Sequence, residues 1–357
     1  MKKNEIIIAL ALFAGLSSCI DPIDTGTDDI VPKLVVDGQV TNLPGPYSVK
    51  LGQSEPYDNA SITRAVANAT VYIMDDEGNR FDLLEGTRGT YRTDSTSFQG
   101  VPGRTYTLHI RTLEGKEYQS QPQYLQAAPP IDTIFSRFVE EVSPNGIARD
   151  FFEIYLKSQD IPGEENFYRW KWAHYDSLKY CKQGFAPVLD PENGLSTNYR
   201  LYTYCCEPCW EITRCNNCLD LGNDQYTDGR MLERLITKIP YDSRDDYFMV
   251  VEQYALSEKG YRFWNSVLGQ TNNTGGIFDN PPASIPGNIS NVNDAQEQVL
   301  GLFLASGVSR KSVYVKRDYV LKPPPDDPNI GVTILLSPNC LGCMESIFRT
   351  GRKPPGW

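Results

Sequence analysis

Apolar and polar residues alternate in short runs along most of this chain. In "RTYTLHIRTLEGKEYQS", Tyr106, Leu108 and Ile110 alternate with Thr105, Thr107, His109 and Arg111. That period of two is the signature of a half-buried strand. A turn at Glu114–Lys116 separates this run from a second one. "ATVYIMDDEGNRFDLLE" repeats the design, with its turn at Asp76–Asn79, and "KLVVDGQV" and "YSVKLGQS" read as further short strands. About seven short strands over residues 31–128 predict an immunoglobulin-like β-sandwich. "QAAPPIDTIF" then sets a proline-marked boundary at Pro129–Pro130.

Residues 129–322 read as a second β-rich domain. In "NFYRWKWAHY", Phe167, Trp170 and Trp172 are core candidates, and Arg169 and Lys171 are expected to face water. "DFFEIYLKSQ", "DDYFMVVEQYAL", "VLGLFLASGV" and "SVYVKRD" complete the strands. "SEKGYRFWNSVLGQ" is the one clear helical pattern, with Ser257 placed to accept a hydrogen bond from a free first-turn amide. Phe263 and Val267 fall on one stripe, with Trp264 and Leu268 beside it. Residues 323–357 form a proline- and cysteine-bearing tail. The fold class predicted is mainly β: an immunoglobulin-like sandwich, then a second β-rich domain with one short helix and a cysteine-rich insert over 181–218.

The first residues break this pattern. "MKKNEIIIALALFAGLSSC" has two lysines, an apolar run from Ile6 to Leu16, small residues and then Cys19. The run is too short to span a bilayer as a helix and suits a secretory signal. "Leu16-Ser17-Ser18-Cys19" resembles the lipobox of bacterial lipoproteins, in which the cysteine is acylated. The expectation is a signal peptide over 1–18 and a lipid anchor on Cys19, held in the bilayer by its acyl chains. An acidic tether over 19–30 follows. Ile20 after the cysteine favours the outer membrane. Asp21, Asp24, Asp28 and Asp29 loosely resemble the acidic export signal of surface lipoproteins.

The formal net charge of −11 argues against nucleic acid, which rewards basic patches. His109 and His174 are the only histidines, each read as a surface or packed residue. No zinc-protease, nucleophile-elbow, phosphate-loop or dinucleotide motif occurs. The expectation is therefore no enzyme, no catalytic residues and no cofactor.

"CCEPCWEITRCNNC" places five cysteines in fourteen residues. Eight follow Cys19: Cys181, Cys205, Cys206, Cys209, Cys215, Cys218, Cys340 and Cys343. An even number in an exported chain favours disulfides, here bracing the insert and pinning the tail to it, but eight cysteines allow 105 pairings. Zinc is the alternative. Cys206-x-x-Cys209, Cys215-x-x-Cys218 and Cys340-x-x-Cys343 have ligand-like spacing, although five residues between the first two pairs is shorter than common zinc ribbons use. The metal expectation is none.

"LVVDGQVTNLPGPYSVKLGQS", "VPGRTYTLHI", "YALSEKGYRFWNSVLGQ", "GGIFDNPPASIPGNISN", "VLGLFLASGVSRK" and "CLGCMESIFRTGRKPPGW" occur here in order. Together they resemble the Bacteroidota outer-membrane lipoproteins catalogued as domain of unknown function 4249. The resemblance implies a compartment and a neighbourhood: members resemble outer-membrane lipoproteins often encoded beside transporters of the TonB-dependent class. It implies no activity. In "GGIFDNPPASIPGNISN" the glycines free the backbone and the prolines stiffen it. This reads as a packed loop or as a docking loop, with Phe278, Asp279, Ile285 and Asn288 as docking candidates. Two functions are expected to compete: an accessory or substrate-capture subunit on a TonB-dependent outer-membrane barrel, and a free-standing surface adhesin or structural lipoprotein.

Overall fold

The computed structural model describes residues 32–55, 64–96, 98–142, 148–163, 165–178, 180–190, 194–215, 219–225, 228–242, 244, 246–272, 284–322 and 342–357. The signal segment, Cys19 and the acidic tether lie outside the described residues. In chain order the strands are β1 (Leu34–Thr41), β2 (Ser48–Gln53), β3 (Arg64–Ala65), β4 (Thr70–Asp75), β5 (Arg80–Thr87), β6 (Thr90–Arg92), β7 (Thr105–Arg111), β8 (Glu117–Ser120), β9 (Gln123–Tyr124), β10 (Ile131–Val142) and β11 (Ala148–Gln159). There follow β12 (Phe167–Ser177), β13 (Tyr180–Asp190), β14 (Gly194–Tyr204), β15 (Trp210–Arg214), β16 (Asp220–Asn223), β17 (Met231–Pro240), β18 (Tyr247–Leu256), β19 (Ile289–Asn291), β20 (Leu300–Ser306), β21 (Val308–Val315) and β22 (Arg349–Thr350). Among the described residues one helix, α1 (Glu258–Asn272), stands between β18 and β19. The chain is mainly β, as its alternation predicts.

The first unit is an eleven-stranded sheet in the order β19-β8-β7-β4-β5-β6-β2-β1-β20, with β3 on β2 and β9 on β7. Tyr106, Leu108 and Ile110 of β7 are buried, as their spacing requires. They meet Val36, Val49, Leu51 and Ile73 in one core. Asp75 closes the β4–β5 turn by accepting from the amides of Glu77 and Asn79 at 3.0 and 2.9 Å.

Two strands of this sheet come from beyond α1. β19 pairs antiparallel with β8, and β20 pairs parallel with β1. The sheet is thus not confined to the 31–128 stretch that its turn spacing marks out. The physical reason lies in "LGLFLAS", a strand apolar on both faces, as parallel strands covered on both sides are. Phe303 and Ala305 enter the first core, and Leu302 and Leu304 enter a second cluster with Phe167, Tyr254 and Leu256. Gly301, at φ +89°, brings the strand against β1: a Cβ there would sit 1.9 Å from the Val36 carbonyl. Only glycine takes that conformation and that contact.

In the second unit a three-stranded sheet, β10-β11-β17, faces a six-stranded one, β21-β18-β12-β15-β22 with β16 on β12. Phe152, Ile154 and Leu156 of β11 meet Tyr168, Trp170, Met249 and Val251 in the core between them. At its centre Gln253 is fully buried. It accepts from Trp170 Nε1 at 2.9 Å and donates to the Pro129 carbonyl and Ser158 Oγ, both at 3.1 Å. The proline boundary is therefore tied into the second core. The other face of the six-stranded sheet carries α1. Ser257 caps the helix as expected, accepting from the Gly260 amide at 3.2 Å. Among the described residues β13 and β14 pair only with each other.

Candidate functional site

α1 does not close down evenly on the sheet. Between them lies a cleft of about 1010 Å³, walled by β12, β15, β18, β21, α1 and the tail. The odd-numbered residues of β12 supply its floor: Arg169, Lys171, Ala173 and Tyr175. Alternation along "FYRWKWAHY" sends Tyr168 and Trp170 into the core and these residues to the opposite face. That face reads as solvent in the sequence. It is instead roofed by a helix about ninety residues further on, so Arg169 and Lys171 line a cleft instead of facing open water.

The charges are arranged in register. Lys171 stands opposite Glu252 of β18, which stands opposite Arg310 of β21. Glu252 does not pair with Lys171. Its Oε1 accepts from Arg310 Nε and Nη2 at 2.9 and 2.6 Å, and its Oε2 accepts from the Tyr254 hydroxyl at 2.5 Å. Lys171 Nζ lies 4.8 Å from the centre of the Tyr254 ring. Its ammonium has no hydrogen bond and no ion pair among the described residues. Burial, with the Arg169 charge beside it, pushes the Lys171 ammonium down to about 8. Burial also holds the Arg169 guanidinium below its ordinary value. Arg169 stacks on Trp264 of α1 at 4.2 Å, and the Trp264 indole Nε1 is buried without a hydrogen-bond partner among the described residues. Burial and the Glu252 charge push the Tyr254 phenol up, so it stays protonated.

The cysteine insert and the tail build one wall. Arg214 and Cys215 line the cleft, as does Pro355. Cys215 is held to β12 by its amide, which donates to the Trp172 carbonyl at 3.1 Å. Cys209 is bonded to Cys343, which pins the tail to the insert. Trp357 then packs on Trp210, Phe248 and Tyr314. Cys205, Cys206 and Cys215 are also disulfide-bonded. The side chain of Cys181 and all of Cys218 and Cys340 lie outside the described residues.

The loop candidates separate. Phe278 and Asp279 lie outside the described residues. Ile285 is half-buried beside a smaller hollow of about 300 Å³ with Lys259, Phe263 and Leu302. Asn288 is buried, and its side chain is spent on β20: it donates to the Phe303 carbonyl at 2.7 Å and accepts from the Phe303 amide at 3.0 Å. That residue anchors the loop's end and offers nothing outward. Both histidines are packed. His109 stacks on Tyr72, and His174 stacks on Tyr247 and meets the Phe248 carbonyl at 2.7 Å.

One group of carboxylates went unnoticed in the sequence. Oxygens of Asp160, Asp224 and Asp228 lie within 4.8 Å of one another, an all-oxygen set of the kind hard cations use. Their bonds are local. Asp160 accepts from the Tyr168 hydroxyl and the Gly229 amide, Asp224 from Asn166 Nδ2, and Asp228 from the Gly163 amide, at 2.7–3.1 Å. The arrangement ties Asp160, Gly163 and Asn166 to Asp224, Asp228 and Gly229.

Fold and site define a mainly β protein with a roofed, cation-lined cleft. The chain belongs to the family described as Domain of unknown function (DUF4249), which matches residues 20–312. No curated protein matches it.

Proposed function

We propose that this chain is a lipid-anchored outer-membrane lipoprotein of Bacteroidota, held through acylated Cys19, that captures a ligand without transforming it and serves a TonB-dependent barrel. The observation that carries the reading is the cleft under α1. Its volume stands at the upper end of ligand-site sizes, and it is built from five separate stretches of chain, with the disulfide and the helix cap bracing its walls. Its lining offers cations, aromatic rings and one carboxylate already taken by Arg310 and Tyr254. Those are groups for holding a ligand. Among the described residues no helix is long and apolar enough to cross a membrane, which fits tethering by lipid.

Gentle detergent extraction of the tagged native protein, followed by mass spectrometry, tests the assignment. A near-stoichiometric outer-membrane barrel is the expected companion. Recovery of the lipoprotein alone, at full yield, overturns the accessory role in favour of a free-standing adhesin.

A further inference from the structure

The cleft's chemistry narrows what it holds. Its described lining carries four cations, Arg169, Lys171, Arg214 and Arg310, against one carboxylate, Glu252, inside a chain of net charge −11. Glu252 is committed to Arg310 and Tyr254. Lys171, directly across the strand from it, is left with the face of Tyr254. An ammonium half-withdrawn from water, whose neighbouring carboxylate is bonded to two other groups, raises the energy of the fold. An anionic ligand in the cleft would supply the missing partner. The space is far larger than an inorganic ion needs, so the anion belongs to a larger molecule. Arginine planes backed by aromatic rings favour carboxylate or phosphate groups.

We propose that the cleft beneath α1 is a binding site for a small organic polyanion, with Lys171 at its centre and Arg169 and Arg214 on its walls. The proposal deepens the capture reading and rests on the same cleft. A polycarboxylate and an acidic oligosaccharide present the same chemistry, and the probes separate them.

The test is isothermal titration of the full-length lipoprotein in detergent with tricarballylate, trigalacturonate and, as a neutral control, maltotriose. At least one of the two polyanions binds. Its affinity falls at least tenfold in Lys171→Gln, and falls again as salt is raised from 50 to 300 mM. Binding of tricarballylate alone marks a polycarboxylate site, and binding of trigalacturonate alone marks an acidic-sugar site. The salt dependence is read on the unsubstituted protein, so it stands even if Lys171→Gln fails to fold. Binding of maltotriose alone, no binding of either anion, or anion binding unchanged in a folded Lys171→Gln overturns the proposal. Capture of a barrel without anion binding sinks this inference and leaves the accessory role standing. Anion binding without a barrel does the reverse.

Discussion

Lys171 gives a prediction in which function and stability pull apart. Replace it with methionine, which keeps the length of the stem and drops the charge. In the folded chain burial and Arg169 bring the ammonium down to about 8, against an ordinary lysine value of roughly 10.4. At roughly 1.4 kcal/mol per tenfold, that gap sets a ceiling of about 3 kcal/mol on what the charge costs the fold at neutral pH. The part still open to water lowers the expected figure to about 2 kcal/mol. The charged and titratable groups facing it are Arg169 from β12, Glu252 and Tyr254 from β18, Arg310 from β21, Arg214 from β15, and Asp37 of β1 acting at longer range. The residues α1 presents to the cleft, Trp264, Val267, Leu268 and Thr271, are uncharged. Below pH 8 the lysine is charged whether the chain is folded or not, and the full penalty applies. Between pH 8 and about 10.4 the folded form sheds its proton while the unfolded form keeps it, so the wild type gains stability as pH rises. Tyr254, pushed up, adds no charge in that window. Lys171→Met should therefore be more stable by about 2 kcal/mol at pH 7, with the advantage shrinking by pH 9.5. Urea unfolding with disulfides intact, at both pH values, measures it. A variant less stable at pH 7, or an advantage that does not change with pH, refutes the reasoning.

Other substitutions test the frame around the cleft. Cys343→Ser releases the tail from Cys209, which is 134 residues away in sequence; the expected loss is about 2–5 kcal/mol, seen in thermal unfolding together with altered Trp357 fluorescence. Gln253→Leu strands Trp170 Nε1 and the Pro129 carbonyl in the core, with a cost of about 2–4 kcal/mol in urea melts. Asn288→Ala removes both bonds to Phe303 at about 2–3 kcal/mol and leaves recovery of a partner unchanged once the protein is folded; loss of the partner from a folded variant would restore Asn288 as a docking residue.

The strands were legible because each carries its own period. β7 could be read from Tyr106, Leu108 and Ile110 alone, and β4–β5 from two runs around an Asp–Asn turn. What joined the strands could not be read that way. Nothing local says that Leu300–Ser306 lies parallel to Leu34–Thr41. The clue is that "LGLFLAS" alternates in neither direction, so it needs neighbours on both faces. Spacing leaves all 105 pairings of the eight cysteines equal, and only the meeting of β15 with β22 singles out the Cys209–Cys343 bond.

The cleft was hidden for a more specific reason. A period of two assigns each strand an inside and an outside, and by that rule Arg169 and Lys171 belong outside. The helix held the correcting signal. Phe263 and Trp264 are adjacent, so they point about 100° apart; a stripe that wide needs a surface to cover, and both rings pack on the cluster of Phe167, Tyr254, Leu256, Leu302 and Leu304. In the structure Phe263 turns toward Leu302 and the Ile285 hollow, and Trp264 turns toward Arg169. Two cations on the strand beneath, a tryptophan above with its indole nitrogen buried and without a partner among the described residues, and a gap between them together form a site that no single element encodes.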